Sequence, residues 1–135
     1  MKQQDEGTAL ASPFEYTALP ITLKWMNTAS MGEKRRVNFE VYIPPSSGLV
    51  GTDLNAIDLD FIATATGGKR EIAGQSSKGV RSQLKPEAQQ QIQTHGLTYV
   101  SNLDLKPGDY AVRLLVRDNL TGRLGSVIAP LHVAP

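Results

Sequence analysis

The chain has 135 residues, with 14 Lys or Arg against 13 Asp or Glu, and its formal net charge is +1 at pH 7. This length predicts one domain with its own core. The balanced charge argues against binding to nucleic acid, and no apolar run is long enough for membrane insertion. The sequence contains no cysteine, which excludes thiolate nucleophiles, disulfides and cysteine-ligated metal centres in this chain.

Most of the first ten residues are polar, and we predict that residues 1–10 form a disordered tail. They lack the apolar stretch of a signal peptide. Residues 11–135 are predicted to form a single β-sandwich domain. Composition leaves two possibilities open: a cytosolic protein, or a piece of a longer exported one.

Apolar and polar residues alternate along most of the remaining chain, which is the pattern of a strand with one buried face. A loop over residues 118–123 joins the last two of these runs. Short strands separated by turns predict an antiparallel sandwich. The alternating runs are residues 19–25, 37–43, 57–66, 97–105, 110–117 and 127–133.

The Gly67-Gly68 pair predicts a two-residue hairpin turn, because glycine tolerates the positive φ of that turn. In this hairpin Thr66 pairs with Lys69. By the same count Phe61 faces Gly74, and its ring would cover the bare backbone of that glycine.

One segment, from Pro86 to Gly96, breaks the alternation and predicts a short helix between the two sheets. Proline fits the first helical position, and glycine fits the position just past the end. Leu84, Ala88 and Ile92 recur at helical spacing, which predicts one narrow apolar stripe.

A Leu-x-Pro-Gly-x-Tyr turn over Pro107, Gly108 and Tyr110 leads into an alternating run. It resembles the tyrosine corner of immunoglobulin-like and fibronectin-III-like domains, in which the tyrosine hydroxyl bonds to upstream backbone. With the alternation, this resemblance implies an all-β, immunoglobulin-like or fibronectin-III-like antiparallel β-sandwich. We expect about seven strands and one short helix.

A wider set of motifs resembles the C-terminal region of the bacterial VWFA-related proteins first catalogued in acidobacteria. The motifs are Gly96-Leu97-Thr98-Tyr99, residues 105–113 and 116–118, Thr121-Gly122-Arg123 and Gly125-Ser126, and more weakly Ser12-Pro13-Phe14 and Leu19-Pro20-Ile21. In that family an exported chain carries a von Willebrand A-type domain followed by a β-rich tail. The A domain and its Asp-x-Ser-x-Ser metal motif are absent from this sequence. The resemblance implies a larger, extracytoplasmic parent protein, in the periplasm, in the envelope or secreted.

The chemistry-bearing residues do not form a recognisable catalytic motif. His95 and His132 are the two histidines, and no nucleophile-elbow motif accompanies the serines. We therefore predict surface histidines, no catalytic residue and no cofactor. Asn119 begins an Asn-x-Thr glycosylation acceptor, which we interpret as an ordinary hairpin loop.

Asp58 and Asp60 are the candidate metal ligands, since they lie two residues apart on one strand face with Asp53 near them in sequence. The competing interpretation is a solvated strand face opposite Lys or Gln partners. The basic runs Lys34-Arg35-Arg36 and Lys69-Arg70 lie at strand ends or turns, where charge protects edges and keeps loops soluble.

Tyr42 and Trp25 are the binding candidates. Tyr42 is out of phase with the apolar residues of its strand, so we expect it to be exposed. Trp25 is in phase with Leu23 and Ile21, which favours a core position. Together they could form an aromatic platform for a sugar.

The leading hypothesis is a non-enzymatic accessory or protein-interaction module of a larger exported bacterial protein. The alternative is a carbohydrate-binding module with Tyr42 and Trp25 as its platform. A third hypothesis is a metal-assisted hydrolase that uses Asp58 and Asp60.

Overall fold

A computed structural model describes residues 16–47 and 56–135, and the predicted tail at residues 1–10 lies outside them. The described residues form seven strands, one α-helix and one turn of 3-10 helix. None of their helices is long and apolar enough to cross a membrane. The elements are β1 (Thr22–Met31), β2 (Lys34–Ile43), the 3-10 turn (Pro45–Ser47), β3 (Ala56–Thr66), β4 (Ile72–Gln83), α1 (Pro86–His95), β5 (Leu97–Leu105), β6 (Gly108–Asp118) and β7 (Leu124–Val133).

The strands form two antiparallel sheets, with three strands in the order β1-β2-β5 and four in the order β4-β3-β6-β7. The inner faces of both sheets contribute to one hydrophobic cluster. This is the predicted immunoglobulin-like or fibronectin-III-like sandwich of seven strands with one short helix. The fold class predicted from the alternation is therefore confirmed.

The core consists of the apolar residues that alternate along the central strands. Two aromatic contacts join them: the Phe61 ring stacks on Tyr99 with centroids 4.0 Å apart, and Trp25 meets Phe39 edge-on at 6.0 Å. Burial of side chains of this size stabilises the fold by about 1.5–3 kcal/mol each. The buried residues that β2, β3 and β6 contribute to this core are Val37, Phe39, Val41, Ile43, Ile57, Leu59, Phe61, Ala63, Ala65, Val112, Leu114 and Val116.

The hairpin between β3 and β4 differs from the predicted one. The Gly67 N–H donates to the Glu71 carbonyl and the Arg70 N–H to the Gly67 carbonyl, so the turn is longer than two residues. Arg70 adopts a left-handed φ of 62°. A two-residue turn formed by Gly67 and Gly68 would not place Arg70 in this conformation. Thr66 consequently pairs with Ile72 instead of Lys69.

The prediction that the Phe61 ring covers Gly74 is wrong for the same reason. In the observed register Phe61 lies opposite Lys78, and Gly74 lies opposite Ala65. The space where a Gly74 side chain would project is occupied by the Leu105 side chain of the other sheet. A leucine across the sandwich, instead of a ring on the next strand, covers this glycine.

Helix α1 connects β4 in one sheet to β5 in the other, as predicted. It begins at Pro86, and Gly96 follows it with a φ of 82° and donates its N–H to the Ile92 carbonyl at 2.9 Å. Ile92 is buried and Leu84 packs against the core. Ala88 is exposed, so the predicted apolar stripe is limited to the other two residues.

The chain enters the sandwich by crossing from one sheet to the other. Thr17 bridges Gly125 on β7, and the Leu19 N–H donates to the Leu124 carbonyl at 3.0 Å. The chain then leaves β7 and pairs with β2 as β1. Leu19 is completely buried at this crossing.

The antiparallel pairing gives the sandwich two distinct ends. The helix end carries the 3-10 turn, α1, the 119–123 loop and the entry at Tyr16. The turn end carries the β1–β2 turn at Gly32, the 67–71 turn, the β5–β6 turn at Pro107 and the end of β7 at Val133. The described chain therefore enters at one end and leaves at the other.

Candidate functional site

The first candidate metal ligand, Asp58, lies on the outer face of β3 near the helix end. Its Oδ1 accepts hydrogen bonds from Arg81 Nε at 3.2 Å and from Asn119 Nδ2 at 2.9 Å. Arg81 is directly opposite on β4. The carboxylate is thus bound to an arginine and an amide of its own fold, where the strand-face interpretation expected Lys or Gln.

Asp60, the second candidate, lies opposite Gly79 on β4 and Arg117 on β6. A basic residue, Arg117, is thus its neighbour on β6 in the register. Over residues 16–47 and 56–135 the structure contains no cluster of three His, Cys, Asp or Glu side chains that could hold a metal ion. Asp53 lies outside the described residues.

Asp118 is a buried carboxylate that sequence reasoning did not single out. Its side chain is 2% exposed. It accepts hydrogen bonds from the Leu120 N–H and from Thr121 Oγ1, both at 3.0 Å, and it lies 3.5 Å from Arg123 Nη2. The available signal was an aspartate at the first position of a hairpin loop, where Asp commonly accepts from backbone two residues on.

The Asn119 amide is engaged on both sides. Its nitrogen donates to Asp58, and its oxygen accepts from Arg117 Nη1 at 2.6 Å. The glycosylation motif therefore contributes a hydrogen-bonded loop residue in this conformation, in agreement with the ordinary-loop interpretation. Asp58, Asn119 and Arg117 link β3 to the loop after β6.

The two aromatic binding candidates are not brought together. Tyr42 lies on the outer face of β2, and its hydroxyl donates to the His95 carbonyl at the end of α1 at 2.9 Å. Trp25 points to the inner face, against Phe39. A shared platform is absent from this arrangement, because the sheet separates the two rings.

The two histidines lie at opposite ends of the sandwich. His95 ends α1 at the helix end. His132 Nδ1 is 2.6 Å from Asp109 Oδ1 at the turn end, and both side chains are exposed. Among the described residues neither imidazole hydrogen-bonds a serine hydroxyl, so a Ser-His-Asp relay is not assembled there.

The Pro-Gly-x-Tyr segment lies at the turn end. Tyr110 Oη donates to the Lys106 carbonyl at 2.6 Å, across the turn that Pro107 and Gly108 form. Gly108 has a φ of 153°, in a region that side chains disfavour. Tyr110 also packs against the core.

A groove at the turn end lies beside this tyrosine and is lined by Lys34, Glu71, Ala73, Lys106 and Tyr110. Next to it, Arg36 donates to both oxygens of Asp104, at 2.9 and 3.1 Å. These hydrogen bonds hold the pKa of Asp104 below its usual value, and the charge of Lys34 adds to the effect. The groove therefore lies within a cluster of charged side chains.

No protein-family model matches this chain, and no curated protein does. Solved structures do resemble it. A putative β-galactosidase of Bacteroides fragilis gives a TM-score of 0.55 at 15% identity, over 82% of this chain and 16% of that one. A β-glucuronidase of glycoside hydrolase family 2 gives 0.51 at 9% identity, over 82% and 11%.

A Bacteroides uniformis β-glucuronidase gives a TM-score of 0.51 at 11% identity, over 84% of this chain and 13% of that one. At such identities the likeness shows the fold alone. This chain spans at most 16% of the length of these three glycosidases. The matched regions are β-sandwich domains of those proteins, which is the coarse architecture that the sequence predicted.

Proposed function

We propose that this chain is a non-catalytic accessory module that contacts other protein surfaces within a larger exported bacterial protein of the VWFA-related type. The observation that carries the proposal is where the described residues enter and leave the sandwich. Tyr16 enters at the helix end and Val133 leaves at the turn end. This geometry suits a domain linked in series with others, because each neighbour meets a different end.

Two further observations support the proposal. In the three glycosidases the same sandwich is a minor part of a much longer chain. Of the two carboxylates of the hydrolase hypothesis, Asp58 is bound within the fold by Arg81 and Asn119. A carboxylate held in this way contributes to the stability of the fold.

The proposal that this domain belongs to a larger exported protein is tested by an immunoblot of fractionated source cells with an antibody to the domain. We expect a band far larger than 14.6 kDa in the periplasmic, envelope or secreted fraction. Cytosolic and periplasmic marker enzymes control the fractionation. A cytosolic band at 14.6 kDa would overturn the proposal.

The non-catalytic role needs a separate assay. Because the similar structures include a putative β-galactosidase and a β-glucuronidase, the purified domain is incubated with nitrophenyl β-galactoside and nitrophenyl β-glucuronide. We expect no release of nitrophenol above the buffer blank. Turnover that co-purifies with the folded domain and falls in the Asp58→Asn, Asp60→Asn double variant would contradict the proposal and favour the hydrolase hypothesis.

A further inference from the structure

Three turns that are far apart in sequence bring basic residues to the turn end of the sandwich. The β1–β2 turn leads into Lys34, the β3–β4 turn holds Lys69, and the β5–β6 turn holds Lys106. We call the cations at these turns the basic rim, in which Arg35 is half-buried and the others are exposed. Its members are Lys34, Arg35, Lys69, Arg70 and Lys106.

Two carboxylates at this end have partners within the fold. Asp104 accepts both hydrogen bonds from Arg36, and Asp109 contacts His132. The Glu71 carboxylate lies against Gly67, where an added Cβ would overlap with it. Glu33 is the acidic residue of the β1–β2 turn and is exposed.

The rim cations lack such partners among the described residues. Lys34, Lys69, Arg70 and Lys106 make no ion pair with a described carboxylate. Arg35 donates to the backbone carbonyls of Gly32 and Lys34 and keeps its charge. The positive charge at this end is therefore directed to the surroundings of the molecule.

The groove described above lies inside the rim. Lys34 and Lys106 line it from two different turns, together with Glu71, Ala73 and Tyr110. Two ammonium groups beside an apolar surface suit a segment that carries carboxylates and small apolar side chains. A nucleic-acid backbone fits less well, because a chain with a formal net charge of +1 has no long-range positive field to attract a polyanion.

We propose that the basic rim is a docking surface for an acidic segment of a partner protein, seated in the groove between Lys34 and Lys106. The proposal rests on the proposed function, which supplies the class of partner. It adds the end of the sandwich that is used and the chemistry that is recognised. Attraction of this kind is screened by salt, because the rim is exposed.

The probe is a fluorescein-labelled peptide of alternating Glu and Ala, with a Gln-Ala peptide of equal length as its control. Fluorescence anisotropy with the isolated domain measures binding at low and at physiological ionic strength. We expect the Glu-Ala peptide to bind at low salt and to lose affinity by on the order of tenfold at physiological salt. The Gln-Ala peptide is expected not to bind.

The location is tested by Lys34→Glu combined with Lys106→Glu, which we expect to weaken binding by on the order of tenfold or more. The matched control, Lys24→Glu combined with Lys85→Glu, makes the same charge change away from the rim and should leave most of the affinity. Lys69→Glu at an exposed turn gives a second rim variant if the double variant does not fold.

Three results would overturn the inference: no binding of the Glu-Ala peptide to the wild-type domain, equal loss in the rim and control variants, or tighter binding of an oligothymidylate than of the peptide. The last result would assign the rim to nucleic acid. None of them affects the immunoblot that tests the proposed function, so the two failures are distinguishable.

Discussion

The two ends of the sandwich use their charged residues differently. At the helix end, Asp58 is bound by Arg81 and Asn119, and the Asp118 carboxylate is buried within its own loop. At the turn end, Asp104 and Asp109 have partners, whereas the lysines of the turns form no ion pair with a carboxylate of the described residues. The charged residues of the helix end thus stabilise the fold, whereas the exposed lysines of the turn end are the ones that we propose for a partner.

The comparison predicts the largest loss of stability for Asp118→Ala. The substitution removes a buried acceptor from the Leu120 N–H and from Thr121 Oγ1. We expect the free energy of unfolding in urea to fall by about 3 kcal/mol. Asp109→Ala, at the turn end, removes an exposed carboxylate and should change it by less than about 0.5 kcal/mol. Equal effects would break the comparison.

The second prediction concerns the chain crossing at the helix end. A Cβ on Gly125 would overlap with the Leu19 carbonyl, which is backbone and cannot rotate away. We expect Gly125→Ala to lower the free energy of unfolding by about 2 kcal/mol. Gly68→Ala at the turn end is the control, since nothing lies within 4 Å of its added Cβ. A neutral Gly125→Ala variant in thermal denaturation would mean that the crossing is misplaced.

Tyr110→Phe tests the proposed tyrosine corner at the turn end. The variant loses the hydrogen bond to the Lys106 carbonyl and keeps the ring. Because this bond lies at the surface, we expect a loss of about 1 kcal/mol in chemical denaturation. Tyr99→Phe keeps the ring that stacks on Phe61 and should be close to neutral. If the Tyr110→Phe variant is as stable as the Tyr99→Phe control, the tyrosine-corner interpretation is wrong.

The smallest effect is expected for Asp104→Asn, and it depends on pH. Hydrogen bonds from Arg36 lower the pKa of Asp104 from the ordinary value of 3.8. A carboxyl whose folded pKa is depressed contributes stability above its unfolded pKa and loses it as the pH falls through the folded value. The wild type should therefore be slightly more stable than the variant at neutral pH, and the difference should vanish in acid. Melting temperatures that differ equally at both pH values would contradict this coupling.

The positions of the strands could be predicted from the sequence better than the pairing of residues between strands. Alternation at Val37, Phe39 and Val41 predicted a buried face, because side chains of a strand alternate between two sides. The β3–β4 pairing was wrong because the left-handed Arg70 lengthens the turn, and nothing in the residue type announces that conformation. A shifted turn displaces every pair that follows it, including Phe61.

The candidate site was less predictable than the fold. Asp58 was found by its spacing, but its arginine partner depends on the register that the turn sets. The exclusion of Trp25 from an aromatic surface followed from its phase in the strand. The basic rim could not be recognised in advance, because Lys34 and Lys106 meet only after seven strands are arranged in two sheets.

The central claim is that the basic rim at the turn end is covered by protein in the native setting. Because the 135 residues contain no cysteine, Lys69→Cys and Lys85→Cys each place one thiol, at the turn end and the helix end respectively. Maleimide labelling of both variants in intact source cells, read by mass spectrometry of the tryptic peptides, compares the two ends directly. We expect stronger protection of Lys69→Cys than of Lys85→Cys, each measured relative to its labelling in the isolated domain. Equal protection of the two thiols would contradict the claim.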